Sequence, residues 1–568
     1  MKVRHSLVGH RTMEIVVVVL TLVVGLGALY GSALREGLPR VSGDIYDARI
    51  FIAVLEHWYA VLTGGGTPLS PPYFFPYPYT LSYGDGLLFG GVLYAVPRTL
   101  GFDPFVSYEI VNAVVAAIGF VATYVVARRM LGISVVLGLF AALLALVANS
   151  LAMRSIHAQL LYAAFFPVGL LLVWPLFLAL TDSGGRRARS IGTVVRAVAT
   201  VAFFFVWAMT SFYSLYAFVL LSLVALLTAA IADPALRLRV WLAVRHPSLA
   251  LIVLALGLAG SAVAIFGLYS QSGYGGHGVS AMKAGTVSIA ELVNVGVGNW
   301  VWGGLMEPLR DRLKPPYTRD AYGLSPVLVV AFLASMIWIG RLCRLRLKAR
   351  GHREGDVDAA LFAYSMGIGA LVLALFAVHI ARFAPFQPLF VLLPGASAIR
   401  VPARFLLFIG PVVALVVAYA LDLLADRGRW AMALVAVLVA FILAEQVHDD
   451  SALRLDRRQE QAFLDSVGQP PESCEVFYVF NPRFPKTGND GQDRLYVHGV
   501  DAMLLASYYR LPTINGMATF TPPGWDVVGP FEPDYLDRVR AYAERHDILD
   551  GLCGLDLKER RWREGMAK

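Results

Sequence analysis

The stretch MEIVVVVLTLVVGLGALYGSAL (Met13 to Leu34) is an apolar run longer than the roughly 20 residues that cross a bilayer. Ten more such runs follow, at 105–127, 133–152, 160–181, 191–209, 211–232, 248–269, 323–340, 358–380, 403–424 and 429–447. With 57% hydrophobic and only 15% charged residues, and a mean hydropathy of +0.63, a soluble globular fold is excluded. Each span has to satisfy its own backbone groups, and the alternation of barrel strands is absent, so the spans read as helices. The first run is too long for a signal peptide, and Ser42-Gly43-Asp44 is a poor cleavage site, so it reads as a retained helix. The expected fold is a polytopic α-helical membrane protein of about 11 transmembrane helices. The run Gly86 to Leu100 is shorter and holds Pro97, which suits a re-entrant or interfacial helix.

The net charge of +8 does not point to nucleic acid, because the basic residues lie in short clusters between apolar runs. With Lys2, Arg4 and Arg11 placed in the cytoplasm and each span inverting the chain, the inside loops hold Arg128-Arg129, Arg186 to Arg189, and Arg237 to Arg245. They also hold Arg341 to Arg353 and the pair Arg427 and Arg429. Every short basic cluster then falls on one side, as the positive-inside rule expects. Counting 86–100 as a crossing breaks that pattern. Segments 35–104, 270–322 and 381–402, and everything after about 448, fall outside. The expected setting is a bacterial inner (plasma) membrane, with the N-terminus cytoplasmic and the C-terminal part periplasmic or extracellular.

The tail, 448–568, changes character and is set apart from a transmembrane domain of 1–447. RLDRRQEQAFLDSV, DAMLLASYYR and PDYLDRVRAYAERH have helical periodicity, while CEVFYVF and GLCGLDL suit buried strands. This is an expected small α/β domain with room for its own core. Cys474 and Cys553 each flank a strand there, so an oxidising compartment favours a disulfide, with two buried free thiols as the alternative. No cysteine has metal-ligand spacing.

The unusual polar chemistry lies in the outer segments. Asp44 and Asp47 in GDIYD fall at i and i+3, on one face if helical, with Arg49 and Glu56 roughly opposite and His57 beside them. A half-desolvated carboxylate there suits a general base, and equally the cap of a helix start. TPLSPPYFFPYPYTLSYGDG (Thr67 to Gly86) has too many prolines for a helix. Its rings suit the headgroup interface or stacking on a sugar, and Asp85 ends it. Arg154, His157 and Gln159 sit near the outer end of a span, as a functional set or a helix cap. The glycine-rich loop 270–322 carries His277, Lys283, Glu291 and Trp300, and Lys283 is a candidate for an anionic headgroup. Arg400 and Arg404, with Arg382 nearby, put positive charge on the outer side against the topological preference. A guanidinium pair suits phosphate, with snorkelling to lipid headgroups as the alternative.

Taken together, GDIYD after a first span, an amphipathic helix, a second span and then ARR ending at Arg129 resemble the GT-C class of integral-membrane glycosyltransferases. That class includes protein mannosyltransferases and lipid A aminoarabinose transferases. GDIYDARIFIAVLEHWY, FFPYPYTLSYGDGLLFG, IHAQLL, IRVPARF and NGMATFTPPGW look like segments of bacterial members of that class. The acidic motif departs from the Asp-Glu pair of the protein mannosyltransferases. The resemblance implies a polyprenyl-phosphate sugar donor used on the outer side, and an extracytoplasmic glycan, lipid or protein acceptor in cell-envelope glycan biosynthesis. It also implies a carboxylate of the first outer loop, best matched by Asp44, as base. Asp47, Asp85 or His157 would then orient the acceptor or a divalent cation (magnesium or manganese), and Arg400 and Arg404 would hold the departing phosphate. Two other readings stand beside it. A transporter or flippase for lipid-linked saccharide calls for internal repeats and polar mid-span residues, neither of which is evident. A non-catalytic assembly factor would depend on the tail and not on Asp44.

Overall fold

A computed structural model describes residues 2–148, 157–182, 187–271, 275–313, 322–350, 358–449, 454–483 and 490–566. Among these, eight helices are long and apolar enough to cross a membrane, and a ninth crossing forms if Pro402–Phe408 and Gly410–Ala425, bent by 41°, count as one. Val135–Val147 and Arg429–Ala444 are apolar but shorter than a typical span. The first lies in a run whose far end is outside the described residues. The second stops where its last-turn polar groups are taken over. Asn299 Nδ2 donates to the Glu445 carbonyl at 2.8 Å, and the Glu445 carboxylate accepts from Ser325 Oγ at 2.6 Å and from the Leu328 amide at 2.8 Å. Glu445 thus ends one helix and caps the start of Pro326–Arg350. The run from Gly86 holds the helix α3 (Leu88–Thr99), well short of a crossing.

Contacts sort the bundle into two ends. In α1 (Lys2–Arg35), Glu14 accepts from Arg128 Nε at 3.1 Å, so the start of α1 meets the last turn of α4 (Pro104–Arg129). Arg346 pairs with Asp358 at 2.9 Å, and the Ser134 amide donates to Asp422 at that same end. At the other end, Arg454 donates to the Leu29 carbonyl at 3.1 Å, and Arg457 pairs with Asp103, which caps α4. The basic clusters and the tail therefore occupy opposite ends.

The tail is laced to the first inter-span segment. Strand β1 (Arg40–Ser42) pairs antiparallel with β2 (Arg454–Asp456). A three-stranded sheet follows, with β3 (Val476–Phe480) parallel to β4 (Leu552–Asp556), and β4 antiparallel to β5 (Arg561–Glu564). Helices Arg457–Val467, Asp490–Tyr509 and Tyr535–Arg545 complete it, and Cys474 and Cys553 form a disulfide. The fully buried Val41, Ile52, Phe74, Phe477 and Leu504 belong to one apolar cluster, so the tail shares a core with the segments before α4. The proline-rich loop is part of that seam. Phe74 meets Trp525 edge-on at 4.9 Å, Tyr77 donates to the Pro523 carbonyl at 3.0 Å, and Tyr542 donates to the Phe75 carbonyl at 2.7 Å. Phe74 and Tyr77 therefore pack protein on protein, while Tyr83, nearer the end of the loop, borders a cavity described below.

Candidate functional site

The acidic turn is built differently from a shared helix face. The helix α2 (Asp47–Leu62) begins at Asp47, and Asp44 lies ahead of it. Gly43, at φ +107°, turns the chain, and Asp44 Oδ1 accepts the amides of Tyr46 at 3.0 Å and Asp47 at 2.8 Å. The expectation of two aspartates on one helical face is corrected, because the unpaired amides of the first turn recruit Asp44 as their acceptor. Burial, then the charge of Asp47, pushes Asp44 up to about 6. Burial would raise Asp47 too, but His157, in direct contact through Nδ1, and then Arg404 and Arg400 hold its carboxyl below the ordinary range. The acids of the early segment and the guanidiniums of the late one therefore come together.

Arg400 and Arg404 are not on one helix. Arg404 ends the short 3-10 turn Pro402–Arg404, and Arg400 precedes it. Three contacts fix that turn. The Val401 amide donates to Tyr213 Oη at 2.6 Å, the Ala403 amide to the Gly285 carbonyl at 3.1 Å, and the His277 amide to the Ser397 carbonyl at 2.9 Å. A side chain at Gly285 would strike the Arg400 carbonyl at 2.2 Å, so only glycine lets the two backbones meet. Arg400 and Arg404 line a cavity of about 320 Å³ together with Asp85, Gln159, His277 and Phe520. Burial pushes Asp85 up to about 6 against the pull of Arg404. Burial, with Arg400 second, pushes His277 down to about 4, so it is neutral at pH 7. The His277 ring lies tilted against that of Phe520, centroids 4.6 Å apart, so the tail's ATF segment supplies part of the wall.

A second cavity, of about 510 Å³ and almost wholly apolar, opens between the spans. Trp174, Phe204, Phe218 and Met366 line it, and it shares Phe212, Ile265 and Phe266 with the polar cavity. Sequence reasoning did not find this cavity, since uniformly apolar spans carry no mark of which faces stand apart.

No family model and no curated protein matches the chain in sequence. Solved structures do match in shape. The archaeal oligosaccharyltransferase AglB from Archaeoglobus fulgidus, in complex with an inhibitory peptide and a dolichol-phosphate, is similar over 96% of this chain and 69% of its own. The TM-score is 0.50 at 12% identity. The fold is shared with that oligosaccharyltransferase over nearly the whole of this chain. ArnT from Cupriavidus metallidurans, bound to undecaprenyl phosphate, aligns over 89% of this chain and 85% of its own, with a TM-score of 0.35 at 15% identity.

Within this fold, the remaining residues singled out in the sequence lie elsewhere. Glu56 is buried and pairs with Arg98 and Tyr94 Oη, each at 2.5 Å, tying α2 to α3. His57 is buried too, with Nε2 at 3.2 Å from the Pro68 carbonyl. Lys283 is exposed and donates to the Arg382 carbonyl at 3.4 Å, and neither lines the cavity. Glu291 closes a capping box with Ser288. Arg154 lies outside the described residues. Among the described residues no three of His, Cys, Asp and Glu gather as metal ligands, and Asp47 and His157 engage each other, so no step is derived through a cation.

Proposed function

We propose that this chain transfers a sugar from a polyprenyl-phosphate donor to an extracytoplasmic glycan, lipid or protein acceptor, with the tail end of the bundle on the outer side of a bacterial plasma membrane. The observation that carries the reading is the junction of the two cavities. An apolar chamber between spans shares Phe212, Ile265 and Phe266 with a polar one lined by two arginines. Such a pair fits an amphiphile with a long apolar tail and an anionic head. Arg400 and Arg404 supply the phosphate contacts and act on the charge that grows there as the bond to C1 breaks.

The reaction needs a base on the acceptor hydroxyl. Asp44 and Asp47 are close, and their surroundings push their proton affinities apart, Asp44 up and Asp47 down. A carboxylate that titrates near 6 is matched to proton transfer at neutral pH, while one held ionised contributes charge alone. In this reading Asp44 takes the acceptor proton, and the acceptor oxygen bonds to C1. The C1–O bond to phosphate breaks, its electron pair leaving on the phosphate beside the arginines. Asp47, held by His157, keeps the acid turn oriented. The fold kinship with AglB, solved with dolichol-phosphate, supports the class of donor.

The test is release of polyprenyl phosphate from labelled polyprenyl-phosphate sugars by the purified full-length chain. Release that depends on Asp44 is the expected result. No release with any donor of a broad panel would remove the transferase reading, and equal release by Asp44→Asn would remove Asp44 from the chemistry.

A further inference from the structure

The two arginines are only part of the polar lining. Two acceptor oxygens, one on Asp85 and one on Gln159, also border the cavity, and both residues hang from one joint. Asp85 closes the proline-rich loop, and its Oδ1 accepts the Phe212 amide at 3.2 Å. Gln159 lies in the 3-10 turn Ala158–Ala164, and its backbone carbonyl accepts from Ser211 Oγ at 3.1 Å. The fully buried Ser211 and its neighbour Phe212, the connector between two spans, therefore fix both residues to one wall. Gln159 is 6% exposed, borders the cavity, and its Oε1 has no hydrogen-bond partner among the described residues. Buried carbonyl oxygens are seldom left unpaired, and one at a cavity wall points to a ligand that donates.

We propose that Asp85 and Gln159 form the subsite that recognises sugar hydroxyls and so set which donor sugar is accepted. This deepens the donor reading above and rests on it. The chemistry is one of matched polarity. A guanidinium only donates hydrogen bonds, so Arg400 and Arg404 select phosphate oxygens. A carboxylate and an amide oxygen accept, so they select hydroxyl groups and repel phosphate. The cavity thus carries donors for phosphate and acceptors for hydroxyl groups in one lining. The rings of Tyr83 and Tyr269, which also line it, offer apolar faces to the C–H side of a sugar. A site that is built to hydrogen-bond a hydroxyl discriminates strongly against a ligand lacking it, because its own buried groups are then left unpaired.

The test compares binding of bare polyprenyl phosphate with that of polyprenyl-phosphate glucose, mannose and arabinose to the purified full-length chain. The wild type is expected to prefer at least one sugar-bearing lipid over the bare lipid by about tenfold or more. Gln159→Leu should remove most of that preference, roughly tenfold, while Asp85→Asn should reduce it about threefold, since asparagine keeps an acceptor but loses its charge. Affinity for the bare lipid phosphate should stay within about threefold in both variants, and Gln159→Glu should restore part of the preference by keeping an acceptor oxygen. The subsite is overturned if the preference survives in both variants, if bare-lipid affinity falls equally with it, or if the wild type binds the lipids without distinguishing them. Failure of the wild type to bind any polyprenyl phosphate is a separate outcome and overturns the donor reading as well.

Discussion

Two clusters of charge flank the start of α2, and they are finished to different degrees. On one side Arg49, fully buried, donates through Nε to the Ile45 carbonyl at 2.6 Å and through Nη1 to Glu460 and Asp501. Arg483 completes that group, at 2.7 Å from Glu460 and 2.9 Å from Asp501, and of its buried side-chain atoms only Arg49 Nη2 lacks a partner among the described residues. Burial would raise Asp501, but Arg483 and then Arg49 hold it low, so the cluster stays charged and closed. On the other side Asp85, Arg400 and Arg404 line a cavity, and Asp44 and Asp47 stand near the arginines, with two carboxyls pushed up to about 6. The contrast teaches a division of labour. The closed cluster ties the acidic turn to the tail across more than 400 residues of sequence, and the open one holds charge in readiness for something that is not protein.

The sharpest way to break the comparison is at Asp44. Asp44→Asn should cut polyprenyl-phosphate release by roughly 10²- to 10⁴-fold, the range for loss of a positioned base. It should not lower stability at pH 7, which a denaturation midpoint measures. The sign follows from linkage. The folded state binds the Asp44 proton more tightly than the unfolded chain does, its affinity rising from 3.8 to about 6, so ionisation above that range costs stability that neutral asparagine avoids. Asparagine also keeps an oxygen for the Tyr46 and Asp47 amides. The closed cluster should respond in the opposite way. Arg49→Met should cost about 3 to 5 kcal/mol, because buried Asp501 and Glu460 lose a counter-charge. Adding Asp501→Leu should return part of that loss. A stable Arg49→Met protein with full activity would show that the closed cluster holds nothing in place.

Much of the architecture was legible, for reasons that also explain the gaps. Apolar runs give spans because bilayer thickness sets their length, and the tail's helices and two of its main strands show in periodicity. Strand β5, Arg561 to Glu564, escaped notice because it is a charged and mostly exposed edge strand without alternation. Arg49 looked like an unremarkable face of α2, since its partners Glu460 and Asp501 lie 411 and 452 residues away in the tail. Arg400 and Arg404 stood out because positive charge on that side defies topology, and both do line the cavity. They stand on either side of Pro402, with Arg404 ending the 3-10 turn and Arg400 ahead of it.

A middle-sized effect sharpens the open side. Arg404→Gln should weaken donor binding by roughly 10- to 100-fold, the worth of a charge-assisted contact. Arg404 also lies over the Tyr213 ring at 5.7 Å, so the guanidinium has a fixed platform that lysine would not reproduce. Arg404→Lys should therefore recover only part of the affinity in a direct titration of polyprenyl phosphate.

The smallest effect is the most diagnostic. If Asp44 is the base, kcat/KM should fall about tenfold per unit below roughly pH 6 and level off above it, since only the ionised carboxylate takes a proton. Asp85 also titrates near 6, so the limb by itself does not assign the group. Asp47 separates them. Its charge is the second cause that raises Asp44, after burial, whereas Asp85 is set by burial, Arg404 and the Phe212 amide. Asp47→Asn should therefore move the acid limb to lower pH if Asp44 carries it, and leave it in place if Asp85 does. A pH profile of the Asp47→Asn enzyme, taken on residual activity, distinguishes a carboxylate tuned by its neighbour from one tuned by the cavity wall.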